Sequence, residues 1–130
     1  MKLSVLTAAS VPLLIFSCAN AADFEGSFHD NTHFSIKIVK NADNTYRMDF
    51  GGDMAGDNIV ECSTTAKVSG ERLVVTERDC SEIEVDDSDN RKVVRTFKNN
   101  DRLEYVISAE GLDEYYNGNP DDVKVFERLN

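Results

Sequence analysis

The sequence predicts an all-β fold, a small antiparallel meander of about eight strands closed on itself as a barrel, with a two-sheet β-sandwich as the alternative. Three observations lead there. From Ala22 onward apolar and polar residues alternate almost everywhere, with turn-forming residues between the runs, which is the signature of half-buried strands. No long segment keeps a helical period. An open meander of this many strands would present two unpaired edges, and closing the first strand on the last removes both.

The start of the chain reads as a targeting segment. Met1 and Lys2 give a positive start, Leu3 to Phe16 is uncharged and mostly apolar, and Ala19-Asn20-Ala21 has the small-x-small pattern of a signal-peptidase site. The expected division is a signal peptide over 1–21 and a single β-barrel domain over 22–130, secreted or exported to the periplasm. The apolar run is too short for a comfortable membrane span. Ile15-Phe16-Ser17-Cys18 also resembles a bacterial lipobox, so lipidation of Cys18 and a lipid-anchored lipoprotein form the alternative route. Phe16 departs from that pattern, because its position is normally small or modestly branched.

Taken in order, Phe24 to Phe28 sets Phe, Gly and Phe on one face. Phe34, Ile36 and Ile38 then alternate with Ser35 and Lys37, and after the turn Asn41-Ala42-Asp43-Asn44 the residues Tyr46, Met48 and Phe50 alternate with Arg47 and Asp49. These two runs predict a hairpin with its large apolar side chains facing one core. Gly51 to Asn58 carries three glycines and no strand signal, so a mobile connecting loop is expected there.

Val60 to Cys80 reads as two strands around Ser69-Gly70-Glu71-Arg72. With Glu71 at the centre of a three-residue loop, Cys62 lies directly opposite Cys80, and opposed residues of an antiparallel ladder come close enough for a disulfide. An even pair of cysteines in an exported small domain reads the same way. This register sends Val60, Thr64, Ala66, Val68, Val74, Thr76 and Arg78 to the core and Leu73 and Val75 to the polar face. Ile83 and Val85 continue a short strand, and Asp86-Asp87-Ser88-Asp89-Asn90 forms an acidic turn. A third hairpin around Asn100 pairs Lys92–Lys98 with Arg102–Ser108, placing Arg95 opposite Tyr105 among apolar neighbours. Tyr115 and Tyr116 enter a turn-rich loop ending at Pro120, and Val123 to Leu129 closes the chain as a strand.

Gly26-Ser27-Phe28 in the first strand, with Val125-Phe126-Glu127-Arg128 in the last, resembles the calycin pattern of lipocalins and fatty-acid-binding proteins, and the chain looks like small exported bacterial lipocalin-like barrels. Those families have Gly-x-Trp near the start and a basic residue in the final strand. The resemblance implies that Arg128 packs across Phe28 to close one barrel end, with Phe standing where the family has Trp. It also implies a ligand inside the barrel.

Charge narrows the partners. The chain carries 14 Lys+Arg against 24 Asp+Glu, a net charge of −10. So acidic a domain repels phosphate backbones and anionic membrane surfaces, which argues against nucleic acid. No catalytic constellation is recognisable: there is no Gly-x-Ser-x-Gly elbow, no phosphate-cradling glycine loop, and His29 and His33 lack a third ligand at metal spacing. The expected function is accordingly a non-enzymatic, exported binding module without a cofactor or metal, an inhibitor or immunity-type protein docking a basic partner such as a hydrolase. Asp86, Asp87 and Asp89 with Tyr115 and Tyr116 are the candidate contact residues. The alternative is a lipocalin-like carrier of a small apolar or anionic ligand held by Arg78 or Arg95, with a cavity lined by Thr64, Ala66 and Thr76.

Overall fold

A computed structural model describes residues 23–129. The expected signal peptide and Cys18 lie outside the described residues. Ten strands follow one another: β1 (Gly26–His29), β2 (Ser35–Lys40), β3 (Tyr46–Ala55), β4 (Asn58–Ser69), β5 (Arg72–Val75), β6 (Arg78–Val85), β7 (Arg91–Asn99), β8 (Leu103–Ile107), β9 (Gly111–Tyr116) and β10 (Val123–Arg128). Their order is β3-β2-β1-β10-β9-β8-β5-β4, closed by pairing of β3 with β4, so eight strands form an antiparallel barrel. The remaining two, β6 and β7, continue from β4 outside the ring.

The barrel interior is filled. Phe24, Phe28, Ile36, Ile38, Tyr46, Met48, Phe50, Leu73, Tyr105, Leu112 and Phe126 are all buried in one cluster. Alternation puts them there: in β2 and β3 the expected residues Ile36, Ile38, Tyr46, Met48 and Phe50 point inward, with Lys37 and Arg47 exposed between them. Of the residues expected to line a cavity, Ala66 is buried in the core cluster, the Thr64 hydroxyl donates to the Glu77 carbonyl at 2.6 Å, and Thr76 is exposed. Arg128 sits 4.7 Å over the Phe28 ring, in register with it, and donates to the Glu25 carbonyl at 2.7 Å. That contact closes one end of the barrel where the sequence placed it.

Local register departs from expectation in four places. Ser69 pairs with Arg72, so the β4–β5 turn has two residues at its tip and not three. The one-residue difference turns Leu73 and Val75 inward, reversing the expected faces of β5, while Val68, opposite Leu73 near the turn, is exposed. Cys62 still opposes Cys80, because the chain breaks at Thr76 and Glu77 and re-enters the sheet as a separate strand, β6, with its own register on β4. The disulfide is formed, with a Cα separation of 4.0 Å. It ties β6 to β4 within their shared ladder, and not across the β4–β5 hairpin.

The glycine-rich stretch is strand, not a loop: Gly51 to Ala55 belong to β3, and a bulge between Phe50 and Asp53 absorbs the glycines. Gly52 has φ +86°, and a Cβ there would lie 1.8 Å from the His33 carbonyl oxygen. Tyr115 and Tyr116 likewise end strand β9 and do not enter a loop. Finally, β7 pairs with β6 and not with β8, which joins β5 and β9. Arg95 therefore never faces Tyr105; it is exposed and opposes Glu82.

Candidate functional site

One end of the barrel collects the unusual side chains. Here β1 passes to β2, β3 to β4, β9 to β10, and, above the rim, β6 to β7. The last two strands make a wing. β4 is long enough to serve two neighbours on one edge, β5 along Lys67–Ser69 and β6 along Ile59–Ser63. The wing thus leaves the barrel where β5 stops, and the disulfide fastens its base.

Alternation brings charge to the mouth. In β9, Leu112 is buried and Glu114 follows it on the inner side; in β10, Phe126 is buried and Lys124 precedes it, directly opposite Glu114. The buried Tyr105 of β8 pairs with Glu114 and donates its hydroxyl to the carboxylate at 2.7 Å. Burial pushes the Glu114 carboxyl up, outweighing the hydrogen bond from Tyr105 and the Lys124 and Arg78 charges, which pull it down. Burial also drives the Tyr105 phenol well above its usual value, with the Glu114 charge adding to the shift. Lys124 forms an ion pair with Asp30 at 3.1 Å. At Asp30 burial acts upward, but hydrogen bonds from the Thr32 hydroxyl and amide, with Lys124, bring the carboxyl down to about 2.

Two clefts open at this end. The mouth cleft, about 420 Å³, is bordered by Asp53, Asp101, Glu114, Tyr116, Lys124 and Arg78. A smaller one of about 220 Å³ lies between wing and rim, walled by Phe34, Phe50, Met54, Val60 and Phe97 with Arg78 and Arg95. Phe34, Asp53, Met54 and Arg78 belong to both, so Arg78 stands at the junction. Its guanidinium lies 4.8 Å over the Phe50 ring, and its Nε is buried without a hydrogen-bond partner.

The sequence-predicted contact residues divide. Asp86, Asp87 and Asp89 form the wing tip, above the same barrel end as Tyr116. Asp86 is spent on the turn itself, accepting from the backbone amides of Ser88 and Asn90, both at 2.9 Å, while Asp87 and Asp89 are exposed. Tyr116 is exposed at the mouth and donates to Asp101 at 3.2 Å. Tyr115 points to the outer wall, where Arg72 stacks on its ring at 4.6 Å. The paired tyrosines cannot form one patch, since neighbours on a strand face opposite ways. Arg95 pairs with Glu82 at 3.0 Å and covers the Phe97 ring at 4.3 Å.

Glu114, Tyr105, Lys124 and Asp30 were not found from the sequence. For Lys124 a signal existed, because it alternates in phase with Phe126 in a run otherwise read correctly; Glu114 was hidden by reading its strand as a loop.

Among the described residues no group of His, Cys, Asp and Glu is arranged to hold a metal ion, and no helix is long and apolar enough to cross a membrane. No protein-family model, curated protein or solved structure matches the chain. The fold and site therefore define its class alone, an eight-stranded antiparallel barrel with a disulfide-fastened wing.

Proposed function

We propose that this chain is a non-enzymatic binding module, of the inhibitor or immunity type, that docks a basic protein partner in an oxidising, extracytoplasmic compartment. The observation that carries the reading is the wing, which lifts Asp87 and Asp89 above the same end that presents Asp53, Asp101, Glu114 and Tyr116. Acidic groups gathered at one rigid end favour encounter with a cationic surface, and an exposed tyrosine among them offers contact area at low entropy cost. A barrel interior occupied by its own side chains supports recognition from the rim over storage of a guest inside. The disulfide supports the compartment. The Arg128–Phe28 stack supports kinship in architecture with calycin barrels.

The test is titration calorimetry against cationic secreted hydrolases, lysozyme among them, at low and physiological salt. Binding should weaken with salt, and D87N/D89N/D101N should lower affinity by about tenfold or more and flatten the salt dependence. Asp86 is left in place because its removal would open the turn. A bound hydrolase whose affinity ignores both salt and these replacements would overturn the reading.

A further inference from the structure

The wing–rim cleft has a chemistry of its own, independent of the partner just proposed. Its walls are apolar: Phe50, Val60 and Phe97, with the exposed side chain of Met54 at the edge. Each side carries a guanidinium laid over a ring, Arg78 over Phe50 and Arg95 over Phe97. The two arginines differ in what they already hold. Arg95 gives both its Nε and an Nη to Glu82, at 3.2 and 3.0 Å. Arg78 forms no ion pair among the described residues, and its buried Nε donates to nothing. In a chain of net charge −10 this half-buried arginine feels the charge of Glu114, whose carboxylate accepts from Tyr105, but touches no carboxylate directly, so its guanidinium remains open to an anion. The carboxylate within the cleft, Asp53, has Oδ1 occupied by the Met54 amide at 2.9 Å.

We infer that this cleft binds a free, single-chain amphiphilic anion, its head group on Arg78 and its apolar body between the wing and the rim. Ring stacking fixes the plane of the Arg78 guanidinium and leaves its edge for the two oxygens of a carboxylate, sulfate or phosphate monoester. The apolar walls reward a hydrocarbon body, and the adjoining mouth cleft gives a longer one room to continue.

Three probes of one chain length, decanoate, decan-1-ol and decylammonium, separate head group from tail. Calorimetry on the oxidised protein should find one decanoate bound, about tenfold or more tighter than the alcohol, with decylammonium weakest. R78Q should bring decanoate down to the affinity of decan-1-ol while leaving the alcohol within about twofold. D53N should tighten decanoate severalfold by removing the opposing charge. M54E, at an exposed position on the edge of the cleft, should abolish decanoate binding and reverse the preference toward decylammonium, so a failure of R78Q to fold leaves the inference testable. Equal binding of all three probes, a decanoate preference that survives R78Q or M54E, or absence of binding at millimolar decanoate would each overturn it.

Discussion

At Gly52 a single missing Cβ permits the close approach of β3 to the connection between β1 and β2. The Phe50–Asp53 bulge brings its backbone against the His33 carbonyl, in a left-handed conformation with φ +86°. Gly56, in the β3–β4 turn, has φ +66° but open space around it. Alanine at Gly56 should therefore cost only the backbone term, about 1 kcal/mol, whereas G52A adds a collision with backbone that has nowhere to go and should cost about 2–4 kcal/mol. Urea denaturation of the two variants checks the ranking. The mouth supplies a pH test with opposite signs. Glu114 is raised in the folded state, so its contribution to stability falls as pH rises from the unfolded value of 4.5 through the folded one. Asp30 is lowered to about 2 from 3.8, so its contribution is present above 3.8 and is lost as pH falls toward 2. E114Q should accordingly be more stable than wild type at pH 7, with the difference vanishing below the unfolded value. D30N should be less stable at pH 7, with its deficit vanishing near pH 2. Denaturation midpoints across pH 2–7 measure both, and a stability difference for either variant that stayed constant over the range would refute its assignment.

At the level of elements the disulfide fastens a hairpin that the barrel does not need for closure. In the chain-entropy account, closing a loop of this size contributes about 3 kcal/mol. A C62A/C80A variant should lose about that much, and the loss should be local in its dynamics. Amides of β6 and of Ile59–Ser63 in β4 should exchange faster, while β8, β9 and β10 keep their protection, as hydrogen exchange would show. The same wing marks the limit of what was legible in the sequence. Strand β2 and the Tyr46–Phe50 half of β3 alternate cleanly and have the expected faces, β10 is a strand as expected, and the opposed cysteines pair as expected. Val93, Arg95 and Phe97 also alternate, but alternation is the same for a barrel stave and for an outlying hairpin; which strand lies alongside is decided by long-range pairing that no local pattern contains. The β5 faces were inverted by a turn one residue shorter than expected, the smallest error a strand can suffer and one that exchanges every side chain. Arg78 was legible as a charged residue on an inner face. Its companions Glu114 and Lys124 were not, because they become neighbours only when β9 and β10 pair.

The whole molecule divides its labour in space. Every residue of the main core cluster comes from the barrel strands or from Phe24 ahead of them, and none from β6 or β7. The wing's own buried residues are few, Cys80 on the face it shares with Val60 of β4 and Ile83 on the opposite face, and it is joined to the barrel by the disulfide and one shared strand. Val75 and Leu103 are paired directly across the base of this excursion, so a two-residue Asn-Gly turn can replace Thr76–Arg102 without stretching the ladder. With Cys62→Ser and Val60→Thr to quiet the uncovered part of β4, such a wingless chain should remain a cooperatively folding barrel, since its core is complete and its ring of strands still closes. It should lose affinity for both a cationic protein and decanoate, because the wing supplies the acidic tip and one wall of the cleft. Near-UV circular dichroism with a single urea transition would establish the barrel, and calorimetry would establish the loss. A wingless chain that unfolds without cooperativity would show that the two parts stabilise each other, and one that folds yet binds either ligand undiminished would place recognition elsewhere on the barrel.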